Sequence, residues 1–570
     1  MAPAVERTPI GGVRFTAGRR WGLVAAIVLA WAAIRAGLTG DIVNGDGAPS
    51  LWRFVTAIAD PAISTGFLEL TARSALTTLG FAVLGTALSV CLGLLGAPLL
   101  SERVWELDAP PTATARLRRR WAWGVAKLAA LVPRSLHEVL WALVLVQVYG
   151  PAPVVAVLAI GVPFGAVTAT VFAETIDEAD PAPYEALRAA GTGRLRALSW
   201  GIAPDVSGAL LSYSFYRFEC AIRSAAILGI VGVGGLGFQL SASFQSLNYD
   251  EMWTLIAALM VLSGLADALS SLIRRRQGGT SARCGDVTVP VPPTPAVAAR
   301  PRRADRRDPV LTVAVLGALA AVPVAWWVTE LDVPILWDAR RLTLARGVVG
   351  EMLPPHLGPS GWSGIVGASL DTLAMSVLAI AIAAAVALAA AVPAARSADR
   401  AQRRQPLARA TSTAGSWAVR TLLLLARAVP PPVWAFLAAL VLFPGIWPGV
   451  VALAVYNVGV LGRLYAETLE EEDPRPREAI EVTGAGRLAS LAYGSLPVGA
   501  SRLISLGLYR WEVTMRETIA VGVVGAAGLG RLIDSDLAAR DFAAVSAGDG
   551  VCRVDHGRHV GQRAGPTCFR

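Results

Sequence analysis

Charge is scarce in this chain. Asp, Glu, Lys and Arg supply 16% of its 570 residues, where a soluble protein carries about 25%. Hydrophobic residues supply 54%, and mean hydropathy is +0.53. So little charge cannot keep a globule of this size in water, which leaves a polytopic membrane protein. Cysteine is scarce too. Cys91, Cys220, Cys284, Cys552 and Cys568 show no metal-ligand or Cys-x-x-Cys spacing, so neither a disulfide framework nor a zinc site is expected. Histidine is rarer still, no nucleophile–base pair stands out, and His137 is expected to pack rather than catalyse. There is no Gly-x4-Gly-Lys-Ser/Thr loop, so the chain is not expected to bind ATP in the usual way. No catalytic role, cofactor or metal is expected. The net charge of +9 comes almost entirely from Arg. These arginines are not interleaved with stacking aromatics, which argues against a nucleic-acid partner. Arg beside apolar segments is the common sign of membrane topology.

A helix crossing the hydrocarbon needs about 20 apolar residues. The first half offers 21–38, 74–100, a segment within 121–149, 153–172, 206–240 and 252–273. The first of these is long for a signal segment and has no clear cleavage site, so it is expected to stay as a helix. The stretch 206–240 is too long for one simple span and predicts a helix followed by a Gly-rich, irregular piece. The second half offers 310–328, 369–394, a segment within 417–443, 450–469 and 501–529. Arg14, Arg19 and Arg20 precede the first span, Arg116 and Arg118 to Arg120 precede the third, and Arg274 to Arg276 follow the last of the first half. Arg396, Arg400, Arg403 and Arg404 mark the matching loop of the second half. These loops are therefore expected in the cytoplasm. Pro- and Arg-rich residues 277–309 read as a flexible linker. The division is a first half at 1–273 with its core at about 70–273, a linker at 274–309, a second half at 310–548 with its core at about 365–545, and an atypical tail at 549–570.

The halves are copies. Glu185-Ala-Leu-Arg-Ala-Ala-Gly191, with Pro204 thirteen residues on, returns as Glu478-Ala-Ile-Glu-Val-Thr-Gly484, with Pro497 thirteen on. The offset is 293, and it also relates Arg134 to Arg427, Trp141 to Trp434, Glu174 to Glu467, Glu219 to Glu512, Arg223 to Arg516 and Gly232 to Gly525. No gap is needed from 134 to 237, which chance cannot plausibly produce. If the linker is cytoplasmic, both copies enter the membrane in the same direction and are related by an axis along its normal.

Each copied polar segment favours a short helix. Ala, Leu and Glu are strong helix formers, and Gly191 and Gly484 can end the helix. One copy would be an ordinary cytoplasmic helix; two suggest a rigid element that seats in a partner. The pattern resembles the Glu-Ala-Ala-x3-Gly-x9-Ile-x-Leu-Pro motif of ABC-importer permeases. The resemblance implies that Glu185, Ala186, Gly191 and Pro204, with Glu478, Ala479, Gly484 and Pro497, couple the chain to ATPase subunits. Departures stand at Leu187 and Ile480, at Gly201 and Gly494 where Ile is expected, and at Ala203 where Leu is expected.

A second run, Tyr216-Arg-Phe-Glu219-Cys-Ala-Ile-Arg223 followed by glycines to Gly237, recurs with Glu512 and Arg516. Each Glu/Arg pair is spaced i,i+4 on one helix face. It is either a self-neutralising ion pair or, because charge inside an apolar segment faces a cavity or partner, part of a translocation path. Arg134 and Arg427 are expected at the interface, and Glu174 and Glu467 at solvated helix ends. With Arg134-x6-Trp141, this run is similar to the phosphonate-type permeases of ABC importers, over about 70–270 and 365–545. The resemblance implies an all-α fold: a tandem of type I importer transmembrane domains, about six plus five helices, in the inner membrane. It implies two ATP-binding subunits, an extracytoplasmic substrate-binding protein, and a phosphonate, phosphite or phosphate cargo, which Arg suits by paired N–H donors. An importer of another solute, such as an amino acid, and a secondary transporter remain as alternatives.

The repeat breaks at the end. At the same offset, the helix of 252–273 corresponds to about 545–566, yet 549–570 holds Asp549, Arg553, Asp555, Arg558 and two of the chain's four histidines. Each central charge costs roughly 2.5–3.5 kcal/mol on insertion, so this segment cannot span. A metal-binding polar tail through His556, His559 and Cys552 is one reading. The abrupt change inside an expected helix favours a shifted reading frame near Gly548. Resequencing the coding DNA tests this. An alternative frame should encode about 20 apolar residues followed by Arg or Lys, and the idea fails if neither does.

Overall fold

The computed structural model describes residues 15–38, 40–106, 112–276, 309–395 and 406–547. The arginines at 396–404, most of the linker and the tail from 549 lie outside the described residues. The chain is built from helices. In the first half these are α1 (Phe15–Arg35), α2 (Thr65–Leu100), α3 (Ala113–Ser135), α4 (Glu138–Tyr149), α5 (Pro153–Glu178), α6 (Ala182–Ala189), α7 (Ala203–Leu228), α8 (Leu236–Gln245) and α9 (Tyr249–Arg276). In the second half they are α10 (Pro309–Val328), α11 (Gly361–Ala394), α12 (Pro406–Ala428), α13 (Pro431–Val441), α14 (Ile446–Glu471), α15 (Arg475–Val482), α16 (Leu496–Gly522) and α17 (Leu529–Ala538). Among the described residues, six helices are long and apolar enough to cross a membrane, and three bent pairs raise the number to nine. Adding α1 and the charge-bearing α16 gives the six plus five pattern.

The segments within 121–149 and 417–443 are not straight spans. They break into α3 and α4, meeting at 85°, and α12 and α13, meeting at 94°. The causes are local. Val429 precedes Pro430, which disfavours helical backbone there, and Pro431 opens the new helix. In the first half, His137 caps α4 by accepting the Val139 N–H at 3.3 Å. This is the packing role expected of it.

Small residues let the long helices touch. A Cβ on Gly85 of α2 would lie 2.8 Å from Ile160 of α5, and one on Gly165 of α5 would lie 2.8 Å from Leu92 of α2. The contacts advance together along both chains, so α2 and α5 run parallel. In the second half the same seam is lined by Ala379, Ala383, Ala387 and Ala391 of α11, all fully buried. Such seams associate helices by close packing where lipid offers no hydrophobic drive.

The halves exchange arms. α1 packs on α11 of the other half, with Arg35 Nε 2.8 Å from Asp371 Oδ1. α10 packs on α2, where Thr329 covers Gly80. The segment before residue 50 pairs with the end of α13: Asn44 N–H donates to Val441 O at 2.6 Å and Phe443 N–H to Ile42 O at 3.1 Å. Arg341, from the corresponding segment of the second half, donates to Val148 O at 3.0 Å.

Candidate functional site

The two candidate coupling segments fold alike. In α6 and α15, proline sits in the first turn, and Glu185 or Glu478 lies near the positive end of the helix dipole. Gly191 and Gly484 both take φ +82°, a left-handed position that favours glycine. Gly191 N–H donates to Arg188 O and Thr192 N–H to Leu187 O, both at 3.0 Å, closing a Schellman cap. A wide π-turn then leads into α7 and α16, which carry Pro204 and Pro497 in their first turns. The departures at Gly201 and Gly494 now have a cause. A Cβ on Gly201 would lie 2.9 Å from the Tyr184 Cα, and one on Gly494 2.8 Å from the Arg477 Cα. Helices α6 and α15 each rest directly on that turn, so an Ile would not fit. Around these segments Trp200 and Tyr493, one offset apart, are each 77% exposed, and Val482 is 88% exposed.

At the far ends of α7 and α16 the glycine runs break the helices. Gly232 and Gly525 have φ +106° and +104°. The helices that follow, α8 and α17, are held by threonines of α2 and α11. Thr78 Oγ1 accepts from Leu236 N–H at 2.8 Å, and Thr372 Oγ1 from Leu529 N–H at 2.9 Å. Sequence reading missed both threonines, because a lone Thr in an apolar span gives no pattern. Between the two breaks lies a cavity of about 370 Å³. Its walls come in offset pairs: Val139 with Pro432, Ile230 with Val523, and Val231 with Val524. The cavity therefore sits on the pseudo-twofold axis. Gln245 and Ser241 are the polar side chains in an otherwise apolar lining.

The four path candidates stand on α7 and α16 ahead of this cavity, outside its lining, and are not equivalent. Arg223 and Arg516 each stand one helical turn before a wall residue, Ile227 or Ala520. Arg223 is engaged: it donates to Tyr456 Oη at 3.1 Å and lies 3.7 Å from Glu219. Glu219 also lies 3.6 Å from Arg427 of the other half. Arg516 has a buried Nε that makes no hydrogen bond. Glu512 lies one turn before it on α16. A further pair appears in the second half, where Arg510 holds both oxygens of Glu517 at 2.8 and 3.0 Å and donates to Asn457 at 2.6 Å. Its counterpart Arg217 stacks instead over Phe164, 4.1 Å from the ring centre.

Arg427 is not interfacial. It is buried against Asp267 of α9 at 3.1 Å, and Asp267 also holds Arg463 at 2.5 Å. Arg463 in turn meets Glu467 at 2.8 Å. Sequence reading passed over Asp267, although a lone acid inside the 252–273 span is the kind of residue whose burial demands a partner. Arg134 likewise turns inward, donating to Thr170 at 3.3 Å.

A repeated bundle of broken and glycine-breached helices around an axial cavity, with a matched pair of short helices at α6 and α15, is the architecture of a membrane transport permease. Residues 112–278 and 406–550 match the family of binding-protein-dependent transport system inner membrane components, and the chain belongs to that family. It is a multi-pass membrane protein and a transport component. The phosphate-import permease protein PhnE of Mycolicibacterium smegmatis is 28% identical over 91% of this chain and 88% of its own length. The phosphite transport system permease protein PtxC of Stutzerimonas stutzeri is 30% identical over 36% of this chain and 70% of its own length. No solved structure matches the chain.

Proposed function

We propose that the chain is a fused permease of an ATP-driven importer of phosphorus oxyanions: phosphonate, phosphite or phosphate. Two ATP-hydrolysing subunits seat on α6 and α15 through Glu185, Ala186, Gly191 and Pro204 and through Glu478, Ala479, Gly484 and Pro497. A substrate-binding protein delivers cargo to the opposite face, and this chain hydrolyses nothing itself. The observation that carries the reading is the doubled coupling helix with one geometry, each copy joined to a glycine break at the cavity. α7 has 26 residues, about 39 Å at 1.5 Å per residue. Drawing α6 and α15 together on ATP binding moves α7 and α16 as levers and shifts the cavity between inward and outward access. The glycine breaks supply the close approach and irregular backbone such a path needs. A secondary transporter would have no use for two matched docking helices.

The test is uptake of labelled methylphosphonate, phosphite and phosphate by proteoliposomes holding this chain with its ATPase and binding-protein partners. Uptake should require ATP inside the compartment that holds the ATPase. Uptake driven by an ion gradient with the ATPase absent would defeat the proposal.

A further inference from the structure

We propose that Ser241 and Gln245 are the cargo-reading side chains of the axial cavity, and that its otherwise apolar lining selects phosphonate and phosphite over phosphate. This rests on the oxyanion reading above. The cavity sits on the pseudo-twofold axis, yet its polar side chains come from one half. Ser241 and Gln245 stand about one turn apart on α8, and both line the cavity. At one offset they correspond to Asp534 and Ala538 of α17, which do not line it. The second half supplies Pro432, Phe436, Ala520, Val523 and Val524 instead, with no polar side chain. A symmetric backbone thus encloses a space that is polar on one side only.

The polar side is held in place. Thr78 accepts the first N–H of α8, and next to Gln245 the Phe244 ring stacks on Phe436 of the other half, with centroids 4.6 Å apart. Ser241 is buried, whereas Gln245 is exposed and stands at the mouth. Gln245 Nε2 donates to Ser241 Oγ at 3.2 Å, and among the described residues neither side chain bonds anything else. The Ser241 O–H and the second Gln245 N–H therefore remain as donors, and Gln245 Oε1 remains as an acceptor. A phosphite or phosphonate monoanion has two unprotonated oxygens and one P–OH, which matches that set. A tetrahedral centre that turns three vertices to these groups turns the fourth toward apolar side chains. Phosphite places hydrogen there, and a phosphonate places carbon. Phosphate places a further oxygen there, stripped of water with no donor to replace it, which is costly. Among the described residues no lining side chain is charged. Cargo is then held by hydrogen bonds alone, loosely enough to leave again.

The test is uptake by proteoliposomes holding the full chain with its ATPase and binding protein. The binding protein is saturated with methylphosphonate, phosphite or phosphate in turn, so that its own affinity drops out. The wild type should carry methylphosphonate and phosphite about three- to tenfold faster than phosphate, the scale of one unmade hydrogen bond. Val524→Thr sets a hydroxyl on the apolar wall at nearly unchanged shape, and should bring that ratio toward one by raising phosphate. Gln245→Leu removes the groups that orient the cargo, and should bring the ratio toward one by slowing methylphosphonate and phosphite. Both variants should unfold at the wild-type temperature. The ratio is the deciding readout, because a merely structural role would slow all three anions alike. A wild type that carries phosphate as fast as methylphosphonate, or a wild-type ratio in either variant, would overturn the proposal. If the complex still carries a phosphorus oxyanion, only this assignment falls. If it carries none, the reading beneath it falls as well.

Discussion

Replacing Asp267 by Ala is expected to destabilise the permease by about 3–5 kcal/mol, the cost of removing one partner from a buried ion pair. Asp267 is the first-half anchor of a cross-half cluster, holding Arg463 at 2.5 Å and Arg427 at 3.1 Å. The two arginines differ in what remains to them. Arg463 keeps Glu467 at 2.8 Å, whose side chain is 45% exposed, so it retains a solvated partner. Arg427 keeps only the more distant Glu219 among its ion-pair partners, at 3.6 Å, and its own side chain is 13% exposed. Most of the cost therefore falls on Arg427. Asp267→Asn preserves shape and one acceptor and should cost less. The measurement is the unfolding free energy in detergent. A double-mutant cycle with Arg427→Ala should return a coupling of about 0.5–3 kcal/mol. An Asp267→Ala protein within about 1 kcal/mol of the wild type would show that water reaches this cluster and shields it.

That cluster marks where sequence reading stopped. Hydropathy located the 252–273 span but tolerates one acid, so Asp267 went unnoticed. Its partners lie 160 and 196 residues away, beyond any local pattern. Hydropathy also says nothing about lateral neighbours, which is why the packing of α1 on α11 and of α10 on α2 could not be foreseen. The 85° and 94° breaks were hidden in continuous apolar runs, although the prolines at 430–432 signalled one of them. The glycine-rich end of the 206–240 stretch was legible, because no regular helix uses glycine so densely. It appears as the break between α7 and α8. The charged pairs were half legible. Arg223 and Glu219 meet as their i,i+4 spacing predicts, whereas Glu219 also reaches Arg427 of the other half, a neighbour that only the fold supplies.

The second large effect is expected at the proposed coupling segments. Gly191→Val combined with Gly484→Val should leave the permease inserted at normal abundance yet lower substrate-stimulated ATP hydrolysis by about tenfold or more, the scale of a coupling free energy of ~1–3 kcal/mol. The cause is conformational. Both glycines have φ +82°, and a Cβ at either meets nothing within 4 Å in this chain. No clash within the permease would unfold it. A β-branched residue in left-handed backbone costs roughly 1–2 kcal/mol, so the cap that ends each coupling helix opens or shifts. The consequence is carried along the chain. The cap fixes α6 against the turn at Gly201, where the Tyr184 Cα leaves no room for a Cβ, and that turn runs directly into α7. A displaced cap decouples the docked helix from its lever. Gly191→Asn with Gly484→Asn supplies the control, since Asn tolerates this conformation better than other non-glycine residues. It should retain most of the stimulation. If the valine double variant hydrolyses ATP with wild-type stimulation, the caps do not transmit closure, and the lever must connect to the ATPase through another contact.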